Sequence, residues 1–75
     1  MYDYSKLCGK IREKFGTQGA FANALGISST TLSYKLNNKI QWTQEEIDRA
    51  VELIGESEGK IPAYFFTKKV REVEL

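Results

Sequence analysis

The sequence predicts an all-α fold, a compact bundle of about five short helices that forms one domain over residues 1–75. Three observations support this prediction. Apolar residues recur at spacings of three and four along most of the chain, which is the period of amphipathic helices. Residues that can cap a helix N-terminus alternate with glycine or asparagine stop signals. The 75 residues, 41% of them hydrophobic and 28% charged, suffice for one modest hydrophobic core.

The first two helices are marked by apolar stripes that end at glycines. A stripe ending before Gly16 predicts a helix over about residues 3–15. Its members are Tyr4, Leu7, Ile11 and Phe15. Thr17 then stands where an N-cap belongs, and a second helix over about residues 18–25 ends before Gly26. We expect that helix to bury Phe21, Ala22 and Leu25.

The third and fourth helices have the clearest start signals. Ser28 is an N-cap candidate for a helix over about residues 29–37, which Asn37 and Asn38 close. Leu32 and Leu36 supply its inner face. Thr43-Gln-Glu-Glu46 has the pattern of a capping box, and the apolar stripe after it ends before Gly55.

The C-terminal region is less regular. Residues 56–60 read as a polar loop, and Pro62 fits the first turn of a fifth helix. We predict that Trp42, Tyr64, Phe65 and Phe66 belong to the core. The tail, residues 67–75, fits either a helix or a strand. Its apolar residues Val70, Val73 and Leu75 are a candidate homodimer interface, and a frayed chain end is the alternative.

Composition argues against an enzyme. The chain has no histidine and one cysteine, Cys8, so it lacks the usual acid/base group and the usual ligand set for a metal. It also lacks a glycine-rich phosphate loop. We therefore expect no cofactor, no metal and no small-molecule substrate. With neither a signal peptide nor an apolar run long enough to cross a membrane, we expect a cytoplasmic protein.

Charge is divided unevenly along the chain. Residues 1–39 hold six basic and two acidic side chains, whereas residues 40–75 hold five basic and eight acidic ones. A nearly neutral chain polarised in this way suits a protein that turns one face toward phosphate, although ordinary scatter in a short chain would give the same result.

The segment from Gln18 to Asn37 meets the requirements of a helix-turn-helix motif. Ala22 offers the small side chain that a close helix crossing needs, and Gly26 offers the backbone freedom that the turn needs. Small polar residues begin the second helix of the motif, where a recognition helix meets DNA bases. Hydroxyl side chains bond either type of base, so the selectivity of each contact is modest.

Over Gln18 to Lys39 the chain resembles the lambda-repressor-like helix-turn-helix family, in particular its small Cro-type bacteriophage regulators. The resemblance implies a bundle of about five helices whose third helix enters the major groove. It assigns base reading to Ser29, Thr30, Ser33 and Tyr34. It also implies phosphate contacts from Gln18, Asn37 and Lys39, and to these we add Thr17, Ser28 and Lys35 as predicted phosphate contacts. Lys35 replaces a half-buried apolar residue of the family, so it either turns outward to phosphate or lays its stem on the core with its ammonium in water.

The resulting prediction is a sequence-specific regulator of transcription, a Cro-type repressor that binds double-stranded DNA as a homodimer. The alternative is a helix-turn-helix fold used as a protein-interaction module or antitoxin-like partner. The hydroxyl side chains at the start of the third helix favour DNA, because a protein interface would more often expose aromatic or long apolar groups there.

Overall fold

Five α-helices and one 3₁₀ turn make up the computed structural model, which describes residues 1–68. The helices are α1 (Ser5–Phe15), α2 (Gln18–Leu25), α3 (Ser29–Leu36), α4 (Gln44–Leu53) and α5 (Ile61–Phe65). The predicted all-α class is confirmed, and the one β contact within the described residues is an isolated antiparallel bridge between Tyr2 and Lys68. The proposed interface residues Val70, Val73 and Leu75 lie outside the described part of the chain.

Helix boundaries follow the sequence prediction closely, with differences where contacts from distant residues intervene. Helix α1 begins at Ser5 rather than near residue 3. The Asp3 carboxylate accepts hydrogen bonds from the Ser5 N–H and hydroxyl, and the Asp3 N–H donates to the Thr67 carbonyl at 2.6 Å. The segment before Ser5 is therefore held by contacts other than those of a helix. The predicted loop before α5 also contains a short 3₁₀ turn, Glu58–Lys60.

The predicted caps are confirmed. Thr17 Oγ1 accepts a hydrogen bond from the Ala20 N–H at 3.1 Å, and the side chain of Ser28 serves α3 in the same way. At α4 the capping box is complete, because the Thr43 hydroxyl accepts from the Glu46 N–H while the Glu46 carboxylate accepts from the Thr43 N–H. Each cap contributes roughly 1 kcal/mol by satisfying amides that the helix leaves free.

One hydrophobic core joins the helices. Its least exposed large side chains are Phe21, Phe65, Leu7, Ile11, Leu32 and Ile54. Helix α2 lies at the centre, packed against α1, α3 and α4. Ala22 is 1% exposed, as expected for a small residue at a close helix crossing. The core prediction is wrong at Phe66, which is 48% exposed because it lies just past the end of α5.

Candidate recognition surfaces

The α2–α3 unit is two eight-residue helices joined by a tight turn. At the turn Gly26 has φ of +88°, a left-handed conformation that side chains with a Cβ rarely adopt, and its N–H donates to the Ala22 carbonyl at 2.9 Å. Arg49 of α4 reaches over and donates from Nη1 to the Leu25 carbonyl at 3.3 Å. The turn is therefore fixed both by its own backbone and by a side chain from α4.

Helix α3 presents a polar outer surface, which we call the α3 face. Its exposed members are Ser28, Ser29, Thr30, Tyr34, Asn37 and Lys39, and Ser33 is half-buried among them. Thr17 and Gln18 are exposed at the start of α2. The predicted base-reading residues thus share one helix surface, while their role in reading DNA stays a prediction. Lys35, although predicted as a phosphate ligand, does not belong to this surface.

Several polar groups of the α3 face already form hydrogen bonds or ring contacts within the chain. The Ser28 hydroxyl donates to Thr31 Oγ1 at 2.8 Å, and Asn37 Nδ2 donates to the Ser33 carbonyl at 2.8 Å. The Lys39 ammonium lies 5.8 Å from the centre of the Tyr34 ring. Lys39 is the one basic side chain on the α3 face, so the positive charge available to phosphate there is small.

Lys35 corrects the sequence prediction. Its side chain is 4% exposed, and Nζ lies 2.8 Å from Glu46 Oε1 and donates to the Gln41 carbonyl at 2.9 Å. The ammonium also lies 5.9 Å from the centre of the Trp42 ring. Both expected positions, outward to phosphate or with the ammonium in water, are wrong. The physical reason is a carboxylate from the next helix that neutralises the charge inside the protein.

Glu46 joins the buried ion pair to the capping box of α4. The same oxygen, Oε1, accepts from Lys35 Nζ and from the Thr43 N–H at 2.9 Å. Burial by itself raises the pKa of Glu46, but the hydrogen bonds from Lys35 and Thr43 and the charge of Lys35 outweigh it, so the net pKa is lowered. The carboxylate therefore stays ionised and connects the end of α3 to the start of α4.

A second surface lies beside α3. The N-terminal segment, the loop before α4 and the end of α5 enclose an open groove of about 540 Å³. It is lined by Met1, Tyr2, Tyr4, Asn38, Ile40, Gln41, Trp42, Gln44, Ile47, Phe65 and Phe66. None of these side chains is charged, and most are apolar. We call this surface the apolar groove.

Aromatic side chains form the floor and one wall of the apolar groove. Trp42 packs edge-on against Phe65 with ring centres 5.0 Å apart, and Tyr2 packs edge-on against Phe66 at 5.8 Å. Burial raises the pKa of Tyr4, whose hydroxyl lies near the Trp42 indole N–H. No hydrogen bond of good geometry satisfies that buried N–H within residues 1–68.

Asn38 fixes the N-terminal wall of the groove. Its backbone has φ of +63°, and its side-chain amide pairs with Tyr2, accepting from the Tyr2 N–H at 2.9 Å and donating to the Tyr2 carbonyl at 3.0 Å. The sequence indicated only that asparagine tolerates the left-handed conformation. The pairing joins Tyr2 and Asn38, which are 36 positions apart, so no local sequence pattern predicts it.

The described residues offer little for metal or thiol chemistry. Residues 1–68 hold no group of three acidic or sulfur side chains that could bind a metal ion. Cys8 is half-buried, and burial raises the pKa of its thiol, which disfavours the reactive thiolate. As for membranes, none of the helices in this part of the chain has the length and hydrophobicity that a crossing requires.

Comparisons with known proteins identify the family. No curated protein sequence matches the chain. Among solved structures, the chain is similar to the solution structure of the modulator of repression of the temperate bacteriophage TP901-1 from Lactococcus lactis. The two are 51% identical with a TM-score of 0.78, and the match covers 93% of this chain and 95% of that one. Residues 1–68 match the family described as "Protein of unknown function (DUF739)", and the chain belongs to that family.

Proposed function

We propose that this chain is a bacteriophage-type regulator that modulates repression by binding a repressor protein. The observation that carries the proposal is the 51% identity, over almost the whole of both chains, to a protein named for modulating repression. Burial of Lys35 and the single lysine of the α3 face add to it, because nonspecific attraction to DNA depends on several exposed cations. Of the two functions that the sequence suggested, the protein-interaction module is therefore favoured.

Direct binding of double-stranded DNA is the second candidate. It is favoured by the exposed hydroxyls of Ser29 and Thr30 at the start of α3, in an arrangement that we interpret as a helix-turn-helix of the lambda-repressor-like kind. In this second candidate function, Thr30 contacts DNA bases, and Gln18 and Lys39 contact phosphates. Both functions are compatible with one molecule, since a regulator can touch its partner protein and the operator together.

One experiment separates the two candidates. The purified chain is titrated into the purified repressor of bacteriophage TP901-1, and separately into the operator DNA of that repressor, with calorimetry and gel shift as readouts. We expect saturable binding to the repressor without DNA. Binding to operator DNA alone that weakens in Thr30→Ala, together with no heat on mixing with repressor, would favour direct DNA binding and overturn the proposal.

A further inference from the structure

We infer that the apolar groove is the surface on which a repressor docks, and that it receives a large apolar side chain from a repressor segment that also carries Lys or Arg. This inference rests on the proposed function. It adds to that function the surface used and the chemistry of the contact.

The first argument is the hydrophobic area that the fold leaves uncovered in the apolar groove. Met1, Ile40 and Phe66 are 82%, 42% and 48% exposed, and all three line the groove. In residues 1–68 the one other large hydrophobic side chain that is strongly exposed is Tyr34, on the α3 face. Exposed apolar residues that cluster beside polar ones commonly mark a protein interface. The exposed hydrophobic side chains are thus concentrated in the groove.

The second argument is charge. Gln44 lines the groove, and Asp48 and Glu52 continue the same row of α4 at intervals of four residues, so Asp48 lies one helical turn beyond Gln44 and Glu52 lies two turns beyond it. Both are exposed, and neither forms an ion pair with another residue of the described chain. A repressor contacts DNA phosphates through Lys and Arg and therefore has a basic surface. Such a surface complements this row, whereas an acidic partner would be repelled.

The third argument is that the walls of the groove are held in place. Asn38 ties the N-terminal segment to the loop before α4. Lys35 of α3 donates to the Gln41 carbonyl in the same loop and pairs with Glu46 of α4. A site that is ordered before its partner arrives loses less conformational entropy on binding. The groove is consequently suited to binding as a preformed surface.

The test measures binding of the chain to the purified repressor of bacteriophage TP901-1. Ile40→Ser and Phe66→Ser are expected to lower affinity at least tenfold, because each removes exposed apolar area from the groove. Tyr34→Ser probes the other candidate surface, the α3 face, because Tyr34 is 44% exposed and does not line the groove. If the groove is the docking surface, this variant should bind the repressor as the parent does. Trp42 is the single tryptophan, so its indole N–H resonance reports on the groove and should shift on binding.

A charge variant tests the chemistry of the partner. Asp48→Lys should weaken binding and reduce its dependence on salt. Glu58→Lys changes an exposed carboxylate on the 3₁₀ turn, outside the α4 row that begins at Gln44, and should leave both unchanged. If the repressor binds the parent and both groove serine variants equally, the inference is wrong and the proposed function stands. The same holds if Tyr34→Ser alone loses binding. If the parent does not bind the repressor at all, both fail.

Discussion

The α2–α3 unit and the junction between α3 and α4 are neighbours in space, but they are stabilised in different ways. In the α2–α3 unit, the caps join residues three apart, Thr17 to Ala20 and Ser28 to Thr31. At the junction, the main polar contacts join Lys35 to Glu46 and Tyr2 to Asn38, across a loop or across half the chain. Local contacts of the first kind can be predicted from the order of residue types along the sequence. Contacts of the second kind exist only once the chain has folded.

The difference also concerns how each region tolerates change. Loss of a surface cap lowers the free energy of unfolding by about 1 kcal/mol and leaves no buried charge behind. A buried ion pair behaves asymmetrically, because removing one partner leaves a charge inside the protein without compensation. Substitutions at the junction should therefore depend strongly on which partner is removed, whereas substitutions at the caps should not.

The largest effect is expected at the helix crossing of the α2–α3 unit. Ala22→Glu places a charged side chain without a partner at a position that is 1% exposed, and we expect a loss of stability of more than about 3 kcal/mol or failure to fold. Asn23→Glu, on the exposed side of the same helix, should change stability by less than about 0.5 kcal/mol. Thermal denaturation followed by circular dichroism measures both. Equal melting temperatures would mean that the crossing is not tightly packed.

The next effect concerns the buried ion pair. Glu46→Gln leaves the Lys35 ammonium buried without a carboxylate and should cost roughly 3–5 kcal/mol. Lys35→Met should cost less, because Glu46 is partly exposed and keeps its hydrogen bond from Thr43. The double variant Lys35→Met/Glu46→Gln should be more stable than Glu46→Gln alone. Urea denaturation of the three variants decides this, and equal costs for the two single changes would contradict the asymmetry.

The same pair gives a pH dependence with a definite sign. The pKa of Glu46 is lowered from its ordinary value of 4.5, so the stability it contributes is present above that value and is lost as the pH falls through the lower pKa of the folded state. The parent should therefore lose more stability between pH 5 and more acidic conditions than the double variant does. Parallel acid titrations by circular dichroism measure this difference, which should vanish if Glu46 is unpaired in solution.

The smallest effect separates a cap from a surface hydroxyl in the α2–α3 unit. Ser28→Ala removes the acceptor for the Thr31 N–H and should cost about 1 kcal/mol. Ser29→Ala, the next residue along, removes an exposed hydroxyl and should change stability by less than about 0.5 kcal/mol. Both are measured by urea denaturation. Loss of repressor binding in Ser29→Ala without loss of stability would indicate that the repressor contacts the α3 face rather than the apolar groove.

The candidate surfaces were predictable to different degrees. The hydroxyl side chains after the Ser28 cap marked the start of the α3 face, and the resemblance to the lambda-repressor-like family added Ser33, Tyr34, Asn37 and Lys39. The structure places these residues on α3 and at its two ends. The apolar groove was missed, since Met1 and Ile40 lie in irregular segments and Trp42 and Phe66 were assigned to the core. A cluster of aromatic residues near both ends of the described chain was the available signal, but periodicity does not say which of them stay exposed.

The sequence by itself determined the all-α class, the order of five helices and the N-caps of α2, α3 and α4, because these depend on interactions within one or two helical turns. It did not determine what Lys35 does. A lysine among hydroxyls near the end of α3 looks solvent-exposed from its neighbours in the chain. The tertiary structure instead brings Glu46 to within 2.8 Å of the Lys35 ammonium, so the lysine becomes part of the interior. It also brings Asn38 to Tyr2, and this pairing helps to form the apolar groove beside the lysine. Burial of a charge requires an oppositely charged partner, and only the packing of distant parts of the chain places that partner nearby.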